Sequence, residues 1–188
     1  MMRHIQPLLS CNYKFYNASA TGNTFLIARL KKDIPLRKIK GILVNKLIEN
    51  SIDSGLLFRQ IKSGLYRMHI IEKDGSESSF CGNGARALAH YLYEVNNITN
   101  SRLQIENNED GIIFGKKGSD YFVQCGRPIT LQPLVIDGNT FHRFNVCGEP
   151  HLITGDFFDK SKLVLFADKI KHSYSINVSC IYNQDIFT

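Results

Sequence analysis

Residues 80 to 86 read Phe-Cys-Gly-Asn-Gly-Ala-Arg, and the chain then continues to Glu94 without another glycine or any proline. Beyond the glycines, apolar residues recur at the spacing of a helix. They are Ala85, Leu88, Ala89, Leu92 and Val95. The pattern predicts a buried helix that begins at a Gly-Asn-Gly turn, with Cys81 at its N-terminus.

The position of Cys81 suggests chemistry. A helix N-terminus presents unpaired backbone N–H groups and a partial positive charge. Such an end binds carboxylates and lowers the pKa of a nearby thiol. Cys81 is therefore a candidate thiolate base beside a bound acid. A small buried cysteine before a glycine turn explains the same local pattern, so both interpretations stay open on local grounds.

The overall composition is that of a globular protein with a modest basic excess. The 188 residues include 23 Lys and Arg against 17 Asp and Glu, which suits one large domain or two small ones. The densest basic group, residues 37–46, alternates with apolar residues. This alternation is typical of the solvated face of a helix rather than of a nucleic-acid surface, so we expect no nucleic-acid partner.

Cysteine usage and hydropathy bear on the compartment. The chain has 5 cysteines and no Cys-x-x-Cys pair, which argues against a disulfide framework and against a zinc ribbon. We therefore expect no metal and a reducing, cytoplasmic setting. The apolar segment 5–9 is too short for a signal peptide, and no apolar run is long enough to span a membrane.

The order of predicted elements divides the chain. Residues 1–12 are interpreted as an irregular leader, 13–126 as a first half and 127–188 as a second half, with a boundary at Arg127-Pro128. Helices are predicted from Pro35, from Cys81 and over 159–170. Strands are predicted over 13–16, 24–29, 55–60, 66–72, 102–106, 111–114, 121–125, 133–136, 141–147, 151–154 and 176–182.

Four segments resemble motifs of one enzyme family. They are Gly-Asn-Thr-Phe at 22–25, Asp-Gly-Ser-Glu at 74–77 followed by Cys-Gly-Asn-Gly-Ala-Arg at 81–86, Gly-Glu-Pro-His at 148–151, and Ile-Asn-Val at 176–178. Their order resembles that of diaminopimelate epimerase and its relatives, the amino-acid racemases that work without pyridoxal phosphate. The resemblance covers nearly the whole chain after residue 12, and the segment around Cys81 is its most specific part.

The resemblance implies a fold and a mechanism. The family fold is α/β (α+β), with two similar halves that each wrap a curved sheet around a central helix. The active site lies between the halves and needs no cofactor. One cysteine from each half takes part: one thiolate removes the α-proton and the other thiol delivers a proton to the opposite face. Cys81 matches the first of these cysteines, and the implied substrate is a small amino acid, with a role in lysine biosynthesis.

The resemblance also implies substrate-binding residues. They are Asn23, Glu72, Gly82, Asn83, Glu149 and Asn177. Glu72 and Glu149 stand where the family has asparagines that, with the one matched by Asn177, hold the distal end of diaminopimelate. Two acids at these positions favour a basic amino acid over diaminopimelate. Surface positions in a diverged chain are the alternative explanation for both glutamates.

The second cysteine motif of the family has no match. Family members continue past the strand of Asn177 into a second cysteine helix, whereas this sequence stops at Thr188. None of Cys125, Cys147 and Cys180, which lie on predicted strands, precedes a glycine-opened helix. The second half is therefore expected to be incomplete, in a fragment or in a chain covered by a homodimer partner or another protein.

Three functions remain open at this point. The first is a cofactor-independent racemase or epimerase, seen whole or truncated. The second is an inactive relic or binding module that keeps the cleft without the chemistry. The third is an isomerase that uses one acid/base group. The intact segment around Cys81 favours the first function, and the missing second cysteine favours the other two.

Overall fold

A computed structural model describes residues 13–31, 35–99, 103–105, 112–154, 168, 170 and 177–180. The chain forms two compact units, residues 1–125 and 126–188. In the first unit the elements are β1 (Tyr16–Ala20), β2 (Asn23–Arg29), α1 (Leu36–Glu49), β3 (Ser54–Lys62), β4 (Leu65–Glu72), β5 (Glu77–Ser78), α2 (Gly82–Glu94), β6 (Leu103–Ile105), β7 (Ile112–Lys117) and β8 (Asp120–Gln124). In the second they are β9 (Ile129–Ile136), β10 (Asn139–Val146), β11 (Glu149–Thr154) and β12 (Asn177–Cys180).

The first unit is built on one mixed sheet. Its strand order is β1-β2-β3-β4-β6-β7-β8, and β5 pairs with β4 beside this path. The pairs β2–β3 and β4–β6 are parallel, and the others are antiparallel. Mixed sheets with few helices confirm the expected α+β class.

Helix α1 covers one face of this sheet. It follows Pro35, whose φ of −60° suits the start of a helix. Ile39, Leu43 and Leu47 recur every four residues and are fully buried on its inner face. They join one hydrophobic cluster with residues of β2, β3 and β4, including Leu26, Leu57 and Ile71.

Helix α2 is enclosed on several sides. Its buried residues are Gly84, Ala85, Ala87, Leu88, Ala89, Tyr91 and Leu92. It contacts β1 and β8, which are the two ends of the strand order, and also β2 and β7. Because both ends of the sheet contact the same helix, the sheet curves around α2. A helix that is apolar on most of its surface needs such a surround to keep it from water.

The second unit contains the sheet β12-β11-β10-β9. Strands β9, β10 and β11 are antiparallel neighbours, and β12 runs parallel to β11. Phe141, Leu152 and Ile170 form its buried cluster, with Leu134 and Ile136 packed against it.

One three-strand arrangement recurs in both units. The β1–β2 turn has φ of +49° at Thr21 and +88° at Gly22, and the β10–β11 turn has +54° at Cys147 and +91° at Gly148. Two successive residues with positive φ are typical of type I′ hairpins. In each unit, the residue three positions after this glycine pairs with a parallel strand. Phe25 of β2 pairs with Ser54 of β3, and His151 of β11 pairs with Asn177 of β12. The units therefore share a turn and a register without a close sequence repeat.

The predicted strand over 13–16 is wrong. Strand β1 begins only at Tyr16. Tyr13 and Phe15 are buried and Lys14 between them is exposed, so the alternation that predicted a strand is real. It reflects an extended segment whose side chains pack beneath α1, because the ladder with β2 reaches only from Tyr16 to Ala20.

Two cysteines also differ from expectation. Cys147 lies in the β10–β11 turn with positive φ rather than on a strand, because the hairpin there needs two left-handed residues. Cys125 directly follows β8, which ends at Gln124. Of the strand expected over 176–182, residues 177–180 form β12 and the others lie outside the described residues. The predicted leader lies outside the described residues, as does the helix predicted over 159–170 apart from Asp168 and Ile170, which are helical.

Candidate active site

Several sequence-predicted residues of the first unit meet at one edge of its sheet. β2 begins at Asn23, β3 begins at Ser54 and β4 ends at Glu72. β2 and β3 are parallel while β4 is antiparallel to β3, so these three ends lie side by side. Helix α2 starts at the same edge, because the Asn83 side chain in its first turn is hydrogen bonded to Asn23.

Cys81 is the N-cap residue of α2. Its backbone is extended, with φ −145° and ψ 110°, and its Sγ accepts a hydrogen bond from the Gly84 N–H at 3.3 Å. The thiol thus occupies the place that Ser, Thr, Asp or Asn usually takes at a helix start. The N–H groups of Gly82 and Asn83 belong to the same turn and, as in any helix, have no acceptor within it. The start of α2 therefore combines the Cys81 sulfur with backbone N–H groups and the positive end of the helix dipole.

The two glycines of this turn have different roles. A Cβ on Gly84 would lie 3.1 Å from Leu56 Cδ2 and 3.5 Å from both Cys81 Cβ and Phe25 Cε1. Gly84 therefore lets the first turn of α2 sit close to β2 and β3. Among the described residues, a Cβ on Gly82 would meet only the Phe80 ring, at 3.8 Å. The outer side of the turn is thus open at Gly82, where a ligand can approach the backbone.

The Glu72 carboxylate is held by two hydroxyl groups. Ser54 Oγ donates to one of its oxygens at 2.8 Å, and Ser78 Oγ donates to the other at 2.6 Å. Glu72 is half-buried. Hydrogen bonds to an ionised acceptor are among the stronger ones in proteins, so they offset its partial loss of water. The result is an acidic group fixed in place at the sheet edge.

Asn23 and Asn83 are joined to a cation by hydrogen bonds. Asn83 Nδ2 donates to Asn23 Oδ1 at 2.6 Å. Arg86 Nη2 donates to Asn83 Oδ1, and also to Thr21 Oγ1 at 3.1 Å. The chain of contacts connects the β1–β2 turn with the first turns of α2.

A further contact ties the starts of β2 and β3 together. The Asp53 carboxylate accepts from the Thr24 N–H at 2.9 Å and from Thr24 Oγ1 at 2.8 Å. These backbone and side-chain hydrogen bonds lower the pKa of Asp53. A carboxyl with a lowered folded-state pKa contributes stability above its ordinary pKa and loses it as the pH falls through the lowered value. The tie is therefore intact at neutral pH.

The second unit carries the two other predicted residues. Glu149 begins β11 directly after the Cys147-Gly148 turn, and it is half-buried. Asn177 begins β12, where it pairs in register with His151. The two therefore lie on neighbouring strands near the same end of that sheet.

Sequence reasoning did not assign Ser78, Arg86 or the Thr24–Asp53 tie to the site. Arg86 belongs to the motif around Cys81, so its position in the sequence could have indicated that it lies at the site. Ser78 gave no such signal, because its contact with Glu72 depends on the β4–β5 register.

We expect Cys81 to be alkylated by iodoacetamide about tenfold faster than the other cysteines in the folded protein, because its helix terminus raises the thiolate fraction. Cys125 and Cys147 are, like Cys81, half-buried, so accessibility alone does not predict this difference. Peptide mapping by mass spectrometry after short labelling measures the rates, and labelling in denaturant provides the control. Equal rates for all five cysteines in the folded protein would contradict the prediction.

In the part of the chain that the structure describes, no helix combines the length and apolar character needed to cross a membrane. Among those same residues, no cluster of three or more His, Cys, Asp or Glu side chains is arranged to hold a metal ion.

Sequence comparison identifies curated relatives. The chain is 26% identical over 179 residues to diaminopimelate epimerase of Campylobacter jejuni subsp. doylei, a match that covers 89% of this chain and 67% of that protein. It is 43% identical over 77 residues to diaminopimelate epimerase of Thermotoga maritima, covering 40% of this chain and 31% of that enzyme. The chain thus spans about two thirds of the length of the Campylobacter relative. No family model matches the chain.

Solved structures share the fold. A predicted epimerase from Pseudomonas aeruginosa superposes with a TM-score of 0.65 at 11% identity, over 90% of this chain and 70% of that one. A hydroxyproline epimerase from Agrobacterium vitis, with bound trans-4-hydroxy-L-proline, gives 0.57 at 10% identity, over 86% and 60%. The relatives named here are isomerases. The chain is thus similar along most of its length to diaminopimelate epimerases, and it shares its fold with solved epimerase structures.

Proposed function

We propose that this chain supplies one acid/base half-site of a cofactor-independent amino-acid racemase or epimerase, with Cys81 as one of two acid/base thiols. The observation that carries the proposal is the position of Cys81 as N-cap of α2, with its sulfur in the same turn as the N–H groups of Gly82 and Asn83. Such a turn combines a base with donors for a carboxylate.

The proposed chemistry follows from the weak acidity of an α-proton. The Cys81 thiolate takes the proton, so that an S–H bond forms as the C–H bond breaks. The electron pair left on the α-carbon spreads onto the carboxylate. Backbone N–H groups of Gly82 and Asn83, already oriented, stabilise this added charge without reorganising. A second thiol, outside the first unit, then delivers a proton to the opposite face.

In this proposal Glu72, Glu149 and Asn177 bind the far end of the substrate, and Asn23 is a further substrate-binding residue. Asn23 and Glu72 lie at the same sheet edge as the start of α2. Glu149 and Asn177 are proposed as substrate-binding residues because their motif positions match those of the family. The amino acid is taken up from solution, and we place the enzyme in the cytoplasm.

Glu72 makes a basic amino acid the proposed substrate. Its carboxylate is hydrogen bonded through both oxygens, which keeps it from turning away. Diaminopimelate carries a distal carboxylate, and two like charges repel in a partly desolvated cleft. Lysine, ornithine, arginine and histidine end in a cation or a protonatable group, which the glutamate attracts. Glu149 adds a second acid at a matching motif position.

Glu72→Gln is expected to shift specificity towards diaminopimelate. The change removes the charge and keeps the shape of the side chain: the glutamine oxygen accepts from one serine, and its NH₂ group donates to the hydroxyl oxygen of the other. The ratio of kcat/KM for L-lysine to kcat/KM for diaminopimelate should fall by about tenfold or more. The measurement is α-proton exchange by NMR in deuterated water, with protein expressed from the complete gene.

Glu77→Gln is the matched control for this experiment. Glu77 is the exposed neighbour of Ser78 on β5, and its carboxylate is hydrogen bonded to His69 Nδ1 at 2.6 Å. Its replacement should leave the ratio unchanged. If the unmutated enzyme turns over diaminopimelate well above every basic amino acid, the substrate hypothesis is wrong.

A second candidate function is a one-base isomerase or a binding module. It is favoured by the positions of the other described cysteines, since Cys147 lies in a hairpin turn and Cys125 follows a strand. An enzyme with Cys81 alone would exchange the α-proton with retention of configuration, whereas a binding module would bind amino acids without exchange. We also propose that a homodimer partner or another protein covers the second unit. Sedimentation of the purified chain tests the homodimer.

A further inference from the structure

We propose that Arg86 is a positioning residue that determines which atoms Asn23 presents to a substrate. The inference rests on the proposed function, because it concerns the same sheet edge. It adds a role in which Arg86 acts through Asn83.

Three side chains, those of Arg86, Asn83 and Asn23, form a hydrogen-bonded chain. The Arg86 guanidinium donates to Asn83 Oδ1, and Asn83 Nδ2 donates to Asn23 Oδ1 at 2.6 Å. A guanidinium has only donors, whereas an amide has a donor end and an acceptor end. Whichever atom of Asn83 faces Arg86 must therefore be its oxygen.

The orientation of the Asn83 amide in turn fixes the orientation of the Asn23 amide. Because its oxygen faces Arg86, Asn83 turns its NH₂ group towards Asn23. The Asn23 atom that accepts this hydrogen bond must be its side-chain oxygen. The Asn23 NH₂ group is left to donate elsewhere, and Asn23 is exposed at the sheet edge. Amide orientation is ordinarily ambiguous, but a donor-only neighbour removes the ambiguity here.

Arg86, the first residue of this chain of hydrogen bonds, is held by contacts with two different segments. Arg86 lies one turn beyond Asn83 on α2, and it also donates to Thr21 Oγ1 at 3.1 Å. Thr21 belongs to the β1–β2 turn, in which it and Gly22 have positive φ. Arg86 therefore links a hairpin turn of restricted geometry to a helix, and its guanidinium has little freedom to leave Asn83.

The consequence is a fixed polarity at the candidate site. Asn23 offers N–H donors, so it suits a carboxylate or carbonyl oxygen and not an ammonium group. Glu72 nearby offers only acceptor oxygens while ionised. The edge thus presents a donor and an acceptor in set positions. Without Arg86, the Asn83 amide could rotate by half a turn and reverse the polarity of Asn23.

NMR of the 188-residue chain labelled with ¹⁵N-asparagine tests the positioning role directly. The Asn83 side-chain amide, assigned with Asn83→Ala, should exchange its protons with water about tenfold slower in the unmutated chain than in Arg86→Met. Arg86→Lys keeps a donor and should restore part of the protection. Arg37→Met removes an exposed arginine from α1 and should have no effect.

Two further readouts separate the inference from the proposed function. The alkylation rate of Cys81 should stay the same in Arg86→Met, which shows that the start of α2 is intact. L-lysine or diaminopimelate should shift the Asn23 amide signal in the unmutated chain and at least tenfold more weakly in Arg86→Met at the same concentration.

The outcomes are distinct. If neither amino acid shifts any asparagine signal in the unmutated chain, the proposed substrate binding by this chain fails, while proton exchange at Asn83 still decides the orientation by Arg86. If Arg86→Met leaves that exchange unchanged, or if Arg37→Met alters it equally, the positioning role is overturned. Loss of protection in Arg86→Met with rescue by Arg86→Lys supports it.

Discussion

Cys81→Ala is expected to lower the rate of α-proton exchange by a factor of about 10³, because a positioned acid/base group contributes rate enhancement of that order. Alanine keeps the backbone of the N-cap but removes the only group in the first turn of α2 that can take a proton. The experiment follows loss of the α-proton signal of L-lysine and of diaminopimelate by NMR in deuterated water. It uses protein from the complete gene.

Cys125→Ala is the control for this prediction, since Cys125 is also half-buried but follows a strand. It should exchange at the unmutated rate. Exchange that persists in Cys81→Ala would remove Cys81 from the mechanism.

The same assay applied to the 188-residue chain alone should show no racemisation. Inversion needs a proton donor on the face opposite Cys81, and no other cysteine of the sequence is followed by a Gly-Asn-Gly turn motif. Exchange with retention is compatible with Cys81 alone, because one thiol can remove and return a proton on one face. Racemisation in both directions by the purified chain would refute this expectation.

Gly55→Ala is expected to lower the free energy of unfolding by about 2 to 3 kcal/mol, the size of effect seen when a core is overpacked. A Cβ on Gly55 would lie 2.3, 2.7 and 2.8 Å from three side-chain carbons of Leu43. Leu43 is fully buried in the cluster between α1 and the sheet, and protein cores are closely packed, so relief of the clash must displace its neighbours as well. Denaturant unfolding followed by circular dichroism measures the change.

Two variants control for the Gly55 prediction. Gly41→Ala places a methyl group on α1 with no atom within 4 Å. It should raise stability by about 0.5 to 1 kcal/mol through helix propensity. In Leu43→Ala, adding Gly55→Ala should cost much less than it does alone, because the clash has gone. Additive losses in the double variant would show that the Gly55–Leu43 contact is not the cause.

The sequence alone determined the local features of this chain. The spacing of Ala85, Leu88 and Leu92 after a Gly-Asn-Gly turn was enough to predict α2 and the place of Cys81 at its start. Helix periodicity after Pro35 predicted α1 in the same way. Both patterns depend on residues within a few positions of one another, where backbone preference and burial act together. The order of short motifs was enough to suggest the family.

Only the tertiary structure decided which distant residues contact Glu72 and Arg86 at the candidate site. Glu72 meets Ser54 and Ser78 because β4 pairs in a particular register with β3 and with β5. Arg86 meets Thr21 across 65 positions of sequence. The alternation of side chains at residues 13–16 reflects which of them are buried. It does not indicate where pairing with β2 begins, which is at Tyr16. Register and packing of distant segments depend on the whole core, because a strand's partner is chosen by the faces it buries and not by its own sequence.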